Sequence, residues 1–264
     1  SIGFEVLPKG QGTIWKWMLG ACASTLVSGT AYQQVGTLAA ALASFTAQEQ
    51  WYYMADDGTY TAGTFSWLGC MFTDFELTMG AEIATVKANL NGRTVDTAQT
   101  PVAVTLPSTA TAPFHRGNLT VSTGTLTLAT TTALASSVTP VTGIEQVVLS
   151  VNNNLNTDRP GAAGLKGKPV PQMRDITVKI TAEQRDNSWD IAKQAQTALT
   201  LLCTYTGLAL SVGTETFQVA IADMRVTKVT KKLDNGVPKV EVKCKVMQTA
   251  TPLQIVIRTS DAAI

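Results

Sequence analysis

The sequence predicts a mainly β chain, a β-sandwich or partial barrel flanked by one α-helix. Three observations lead there. Several segments alternate apolar and polar residues with a period of two, as strands with one buried face do. About 40 of the 264 residues are threonine, whose β-branch stiffens χ1 and suits a pleated surface. Only one segment carries the spacing of an amphipathic helix. By area scaling a chain of this length buries roughly three-quarters of its surface, enough for one large core without disulfides. One domain over residues 1–264 is expected.

Taken in order, residues 1–35 hold Trp15, Trp17 and many small residues with no clear period, and read as an N-terminal arm that packs on another subunit. Leu38, Leu42 and Phe45 suggest a short helix, followed by a strand towards Tyr53 and a turn at Asp56-Asp57-Gly58. Two strands follow. Phe75, Leu77 and Met79 alternate with Asp74, Glu76 and Thr78; after a break at Gly80, Ala84, Val86, Ala88 and Leu90 alternate with Thr85, Lys87 and Asn89. Residues 92–118 are too long for a tight connection, and 94–142 as a whole form a Thr/Pro-rich long loop or insertion, within which 119–129 reads as an edge hairpin. A second pair follows: Val147, Leu149 and Val151 alternate with Ser150 and Asn152, then Ile176, Val178 and Ile180 with Thr177, Lys179, Thr181 and Glu183, across a Gly/Pro/Lys loop at 160–171. The helix is expected over 187–202, capped by Asn187 or Ser188, with Asp190 in its first turn and a stripe of Ile191, Ala195, Ala198, Leu199 and Leu202. Strands close the chain at 217–221, 224–233, 239–246 (after an Asp234-Asn235-Gly236 hairpin turn) and 253–257.

The chemistry of enzymes is missing from this pattern. A single histidine removes most acid–base and metal chemistry, and four cysteines at 22, 70, 203 and 244 have no metal-knuckle spacing; buried free thiols are expected. Residues 161–168 resemble a phosphate loop, but the glycines are misplaced and Pro169 stands where a Ser or Thr must hold magnesium. His115 and Arg116 lie in a loop framed by Pro113 and Gly117. No catalytic residue, metal or cofactor is expected. Leu19-Gly20-Ala21-Cys22 resembles a lipoprotein cleavage box, yet the apolar run before it falls short of the roughly 7–15 residues of a signal core. No stretch approaches the roughly 18 apolar residues of a membrane span, so a soluble chain is expected. Charged residues are 15% and the formal net charge is +1. So few charges suit a surface covered by neighbouring subunits, and a near-neutral chain has no basic groove for nucleic acid.

The string from Gly63 to Arg93, GTFSWLGCMFTDFELTMGAEIATVKANLNGR, resembles the front strand pair of tail tube proteins of long-tailed bacteriophages. VVLSVNNNL and RDITVKITAE resemble their second pair, and DNSWDIAKQAQTALTLL and the closing strands keep the family's order, so that the resemblance spans roughly residues 60–260. It implies a structural virion protein, made in the host bacterial cytoplasm, whose subunits form hexameric rings stacked on a tape measure protein. Tail terminator and baseplate or tip proteins are the further partners it implies. The sheets would close across subunits into a barrel, and DNA would pass through the lumen without specific binding. On that reading the polar strand positions face the lumen: Asp74, Glu76, Thr78, Thr85, Lys87, Asn89, Ser150, Asn152, Thr177, Lys179, Thr181 and Glu183. They hold three carboxylates against two lysines, a mildly acidic wall. Trp15 and Trp17 would belong to the inter-subunit arm. The alternatives are a tube protein of a contractile injection or secretion system, and a secreted β-rich binding module.

Overall fold

The computed structural model describes the chain except residues 55, 81, 104–111, 158–166, 168 and 263 and the side chains of 60–62 and 171. In order, the elements are β1 (Ile2–Glu5), α1 (Gly12–Leu19), β2 (Gly20–Ser28), β3 (Ala31–Leu38), β4 (Phe45–Met54), β5 (Tyr60–Met79), β6 (Thr85–Asn91) and β7 (Thr94–Asp96). After a 3-10 turn (Arg116–Asn118) come β8 (Leu119–Thr127), β9 (Ser136–Pro140), β10 (Ile144–Asn152), the short ribbon β11 (Leu155–Asn156) and β12 (Val170–Pro171), and β13 (Asp175–Glu183). Helix α2 (Ser188–Ala195) precedes β14 (Leu199–Ala209), β15 (Thr214–Asp234), β16 (Val237–Val246) and β17 (Leu253–Thr259). The fold is mainly β, with two α-helices among the described residues where one was expected, and its main sheet is not closed into a barrel within the subunit.

Two long strands exchange partners halfway, and this doubles the sheet into two layers. The first half of β15 lies between β14 and β17 as far as Ile221; from Met224, past a register shift opposite Leu199/Leu201, its second half pairs with β16. One layer therefore runs β1-β6-β5-β10-β13-β16-β15 and the other β2-β3-β17-β15-β14-β8-β9. β5 exchanges β4 and β7 for β6 and β10, and Gly69, at φ 65°, occupies the changeover in a conformation that side chains rarely adopt. The predicted break at Gly80 is real: φ is 87°, an added Cβ would meet the Glu145 carbonyl oxygen at 2.5 Å, and the Gly80 N–H donates to the Tyr205 hydroxyl at 2.9 Å.

The two layers share one core. Phe75, Leu77, Leu149, Val178 and Val242 enter it from the first layer; Tyr205, Phe217, Val219, Ile255 and Ile257 enter from the second. Trp15 joins them, its ring 6.3 Å from Phe75 and 5.7 Å from Phe217, with 1% of its surface exposed. This corrects the reading of residues 1–35 as an arm. β1 pairs with β6, α1 packs Trp15, Met18 and Leu19 into the core, and β2 and β3 extend the second layer. Trp17 lies half-buried at the core's rim, stacked on Phe45 at 4.5 Å. Asn153, fully buried, ties α1 to the sheet: its amide donates to the Phe72 and Met18 carbonyls at 3.0 and 3.5 Å and accepts from Arg174 Nε at 2.8 Å.

Two helix expectations also change. The segment around Leu42 is not helical; β3 ends at Leu38, Leu42 is buried in the connection, and β4 begins at Phe45. Helix α2 stops at Ala195 because Gln196 turns left-handed (φ 48°), so Leu199 and Leu202 belong to β14. Ile191 is 63% exposed and Ala195 is exposed; Ala192 and Trp189 make the contact with the core instead.

On the outer face of the second layer, glutamines hold residues 129–135 as a strap. Gln218 accepts from Ala135 N at 2.9 Å and donates to Ala135 O at 3.0 Å, and Gln254 grips Ala129 in the same two-pronged way at 3.0 and 3.3 Å. Gln33 donates to the Thr130 and Ala133 carbonyls. Arg258 donates to Thr132 O and Gln33 Oε1 at 2.6 and 2.7 Å. Beneath the strap Ala129, Ala135, Leu202, Ala220 and Val256 form a second small core.

Three substitutions test this arrangement. Trp15→Ala is expected to cost about 3–5 kcal/mol in denaturant unfolding, and removal of residues 1–17 to prevent folding, since it deletes β1 and most of α1. Gln218→Ala leaves the buried main chain of Ala135 without its partner and is expected to cost about 1–3 kcal/mol, with faster hydrogen exchange at the Ala135 amide. Ile191→Ala is expected to change stability by less than about 0.5 kcal/mol, as an exposed position should.

Candidate functional site: the polar face of the first layer

The twelve polar positions singled out in the sequence come together. β6, β5, β10 and β13 are consecutive antiparallel neighbours. Their registers put Asp74 beside Asn89 and Asn152, Glu76 beside Lys87 and Ser150, and Thr78 beside Thr85. Ser150 in turn pairs with Thr177, and Lys179, Thr181 and Glu183 continue along β13. Strand alternation explains the separation of faces: the intervening Phe75, Leu77, Met79, Val86, Ala88, Val147, Leu149, Val151, Ile176, Val178 and Ile180 are all buried, while each of the twelve is exposed or half-exposed. Asp74 is fixed locally, accepting from Asn89 Nδ2 at 2.7 Å and from the Thr73 hydroxyl at 2.8 Å.

The face is wider than the four strands, which changes its charge. β16 and the second half of β15 continue it and add Lys239, Glu241, Lys243, Lys245, Arg225, Lys228 and Lys232. Lys179, Lys243 and Lys228 stand opposite one another across three strands, and Lys245 opposes Arg225. Like charges so placed repel. Carboxylates relieve part of this: Lys179 pairs with Glu241 at 2.9 Å, Lys245 with Asp175 at 2.8 Å, Arg225 with Asp223 at 3.2 Å, and Lys239 with Glu145 and Asp234 at 2.9 and 2.8 Å. The hydrogen bond from Lys179 holds Glu241 below the usual carboxylate range, and bonds to Asp234 and Glu145 raise Lys239 above the usual lysine value. The twelve residues, with Asp74, Glu76 and Glu183 against Lys87 and Lys179, are thus part of a wider face whose β15–β16 end is rich in lysine.

The features set aside in the sequence remain ordinary. His115 Nδ1 accepts from the Gly117 N–H at 3.2 Å and caps the 3-10 turn. The four cysteines are free thiols; burial pushes Cys203 and Cys244 up to about 12 and Cys22 up to about 11, which keeps them protonated and unreactive. The phosphate-loop-like stretch 161–168 lies mostly outside the described residues. Among the described residues no cluster of His, Cys, Asp and Glu is arranged to hold a metal, and no helix is long and apolar enough to cross a membrane.

A feature that sequence patterning gave only in part is the β4–β5 hairpin. Beyond Glu49 and Phe65 no third strand accompanies it among the described residues, and Trp51, Tyr52, Tyr53 and Met54 are 53%, 67%, 49% and 69% exposed. The strand towards Tyr53 and the turn at Asp56-Asp57-Gly58 were expected; what patterning did not give is the exposure of the aromatic run. Strand alternation puts Trp51 and Tyr53 on one face and Tyr52 and Met54 on the other, and large apolar side chains exposed on both faces mark a contact surface.

A family model described as phage tail tube protein matches residues 1–250. No curated protein matches the chain significantly. A two-layered β subunit with one wide polar face, an exposed aromatic hairpin and few charges agrees with that match over nearly its whole length. The chain belongs to the phage tail tube protein family, structural proteins of the virion that assemble in many copies into a tube.

Proposed function

We propose that this chain forms hexameric rings that stack into the tail tube of a long-tailed phage, and that the polar face of β6, β5, β10 and β13 lines its channel. The observation that carries this reading is the sorting of faces: four neighbouring strands bury their alternating apolar positions on one side and leave on the other a surface that is polar except for Val148. A wall of that kind lets a tape measure protein, and then DNA, slide past without apolar adhesion. Tail terminator and baseplate or tip proteins would close the ends. The role is structural rather than catalytic.

The zoned charge matters for release. Each phosphate neutralised by a fixed cation adds affinity through counterion release, so an unbroken lysine-rich wall would hold DNA. Asp74 and Glu76 interrupt it. The polar face would thus be balanced, touching DNA without gripping it.

Negative-stain microscopy of the purified chain, with and without its tape measure protein, tests the assembly. Rings or tubes with a central channel are expected; a chain that stays monomeric at high concentration in both cases overturns the reading. Phage carrying Asp74→Lys and Glu76→Lys together are expected to build tubes of normal length but to eject DNA several-fold more slowly. Raising the salt should shrink the defect, because screening shortens the reach of the added charges. Ejection at the wild-type rate removes the channel assignment.

A further inference from the structure

Edge strands offer unpaired main-chain groups, and proteins usually blunt them with charge, proline or shortness. Most edges here follow that rule. The second half of β15 carries Lys228, Lys231 and Lys232, β9 has five residues ending in Pro140, and β1 has four ending in Glu5. β2 does not follow it. Its nine residues, GACASTLVS, pair only with β3 and contain neither a charge nor a proline. Among the described residues its far edge receives only one weak bond, from Ser211 Oγ to Ser28 O at 3.4 Å. Leu26 is 51% exposed, and the Ser24 hydroxyl is buried without a hydrogen-bond partner.

The other long edge without such protection is β4. Gln50–Met54 form an uncharged five-residue run in the free part of the hairpin, bracketed by Glu49 on one side and Asp56 and Asp57 on the other. A lone two-stranded hairpin is marginal in water, so a projecting one with four large apolar side chains exposed calls for a third strand.

We infer that the free edge of β2 is a docking site for a second copy of this chain, taking the Gln50–Met54 run of the partner's β4 by main-chain pairing. The identity of the partner rests on the tube reading above. Both segments are extended and lack charge, and among the described residues each has one hydrogen-bonding edge without a strand partner, which is what strand addition requires. The contact joins two different surfaces, β2 of one copy and β4 of the next. A contact between unlike surfaces can pass from copy to copy around a closed ring. The carboxylates flanking the run limit sliding, since a one-residue slip would turn each aromatic side chain to the opposite face.

Two measurements on the full chain test this. The variant Ala23→Lys with Thr25→Lys places charge on the β2 edge; it is expected to keep the wild-type melting temperature and to lose at least tenfold in the fraction sedimenting as assemblies. In the second, an Ala23→Cys variant and a Tyr52→Cys variant are mixed and oxidised. A disulfide-linked dimer containing one of each is expected well above the level given by either variant alone. Normal assembly of a folded lysine variant overturns the inference while leaving the tube reading intact. Cross-linking of Tyr52→Cys mainly to itself also overturns it, by showing that hairpins pair with one another. If the wild type forms no assemblies, the tube reading falls on its own; the mixed cross-link at high concentration still decides the β2–β4 contact, and its absence rejects it.

Discussion

β15 has to satisfy two sets of partners along one run of 21 residues, and the architecture depends on how it does so. Its first half is buried on both faces in the middle of the second layer, where Phe217, Val219 and Ile221 look into the shared core and Gln218 and Ala220 look out beneath the strap. Its second half is a lysine-bearing border. A register shift against β14 between Ile221 and Met224 marks the change: pairing with β17 ends at Ile221 and pairing with β16 begins at Met224. Extra twist at such a bulge lets one strand leave a sheet and enter another.

Trp15 gives that doubled sheet its centre. A short helix could not be stable alone, since eight residues are too few for a helix to persist in water. It survives because the indole it carries fits between rings supplied by opposite layers. The N-terminal segment is therefore a structural wedge between the two layers.

The parts of the fold legible in the sequence are those where a single periodicity acted over seven or more residues. β5, β6, β10 and β13 show clean alternation because one face is packed and the other polar, and parity alone brought out the whole group of twelve. The misreadings have particular causes. In α1, Ile14, Trp15, Trp17, Met18 and Leu19 are apolar on nearly every side, so no stripe appears, and β1 is too short to alternate. In 187–202, Leu199 and Leu202 fit a helical spacing, but the helix is ended by Gln196 in a left-handed conformation with no glycine or proline to announce it. The lysines of β16 were visible, but their membership of the same face depended on the β13–β16 pairing, a long-range contact that local pattern does not reveal. The buried glutamines were hidden too, because a polar residue alternating in a strand ordinarily means solvent.

Those glutamines have an implication for how the outer surface can diversify. An amide side chain that binds both the N–H and the carbonyl of one residue recognises peptide geometry, whatever side chain that residue bears. Gln218, Gln254, Gln33 and Arg258 all hold the strap through its main chain, while Thr131, Thr132 and Ala133 point their side chains outward. The tip of the strap is thus anchored but not read. Successive generations can alter its exposed letters, or carry short foreign epitopes there, while the scaffold beneath keeps the same grip.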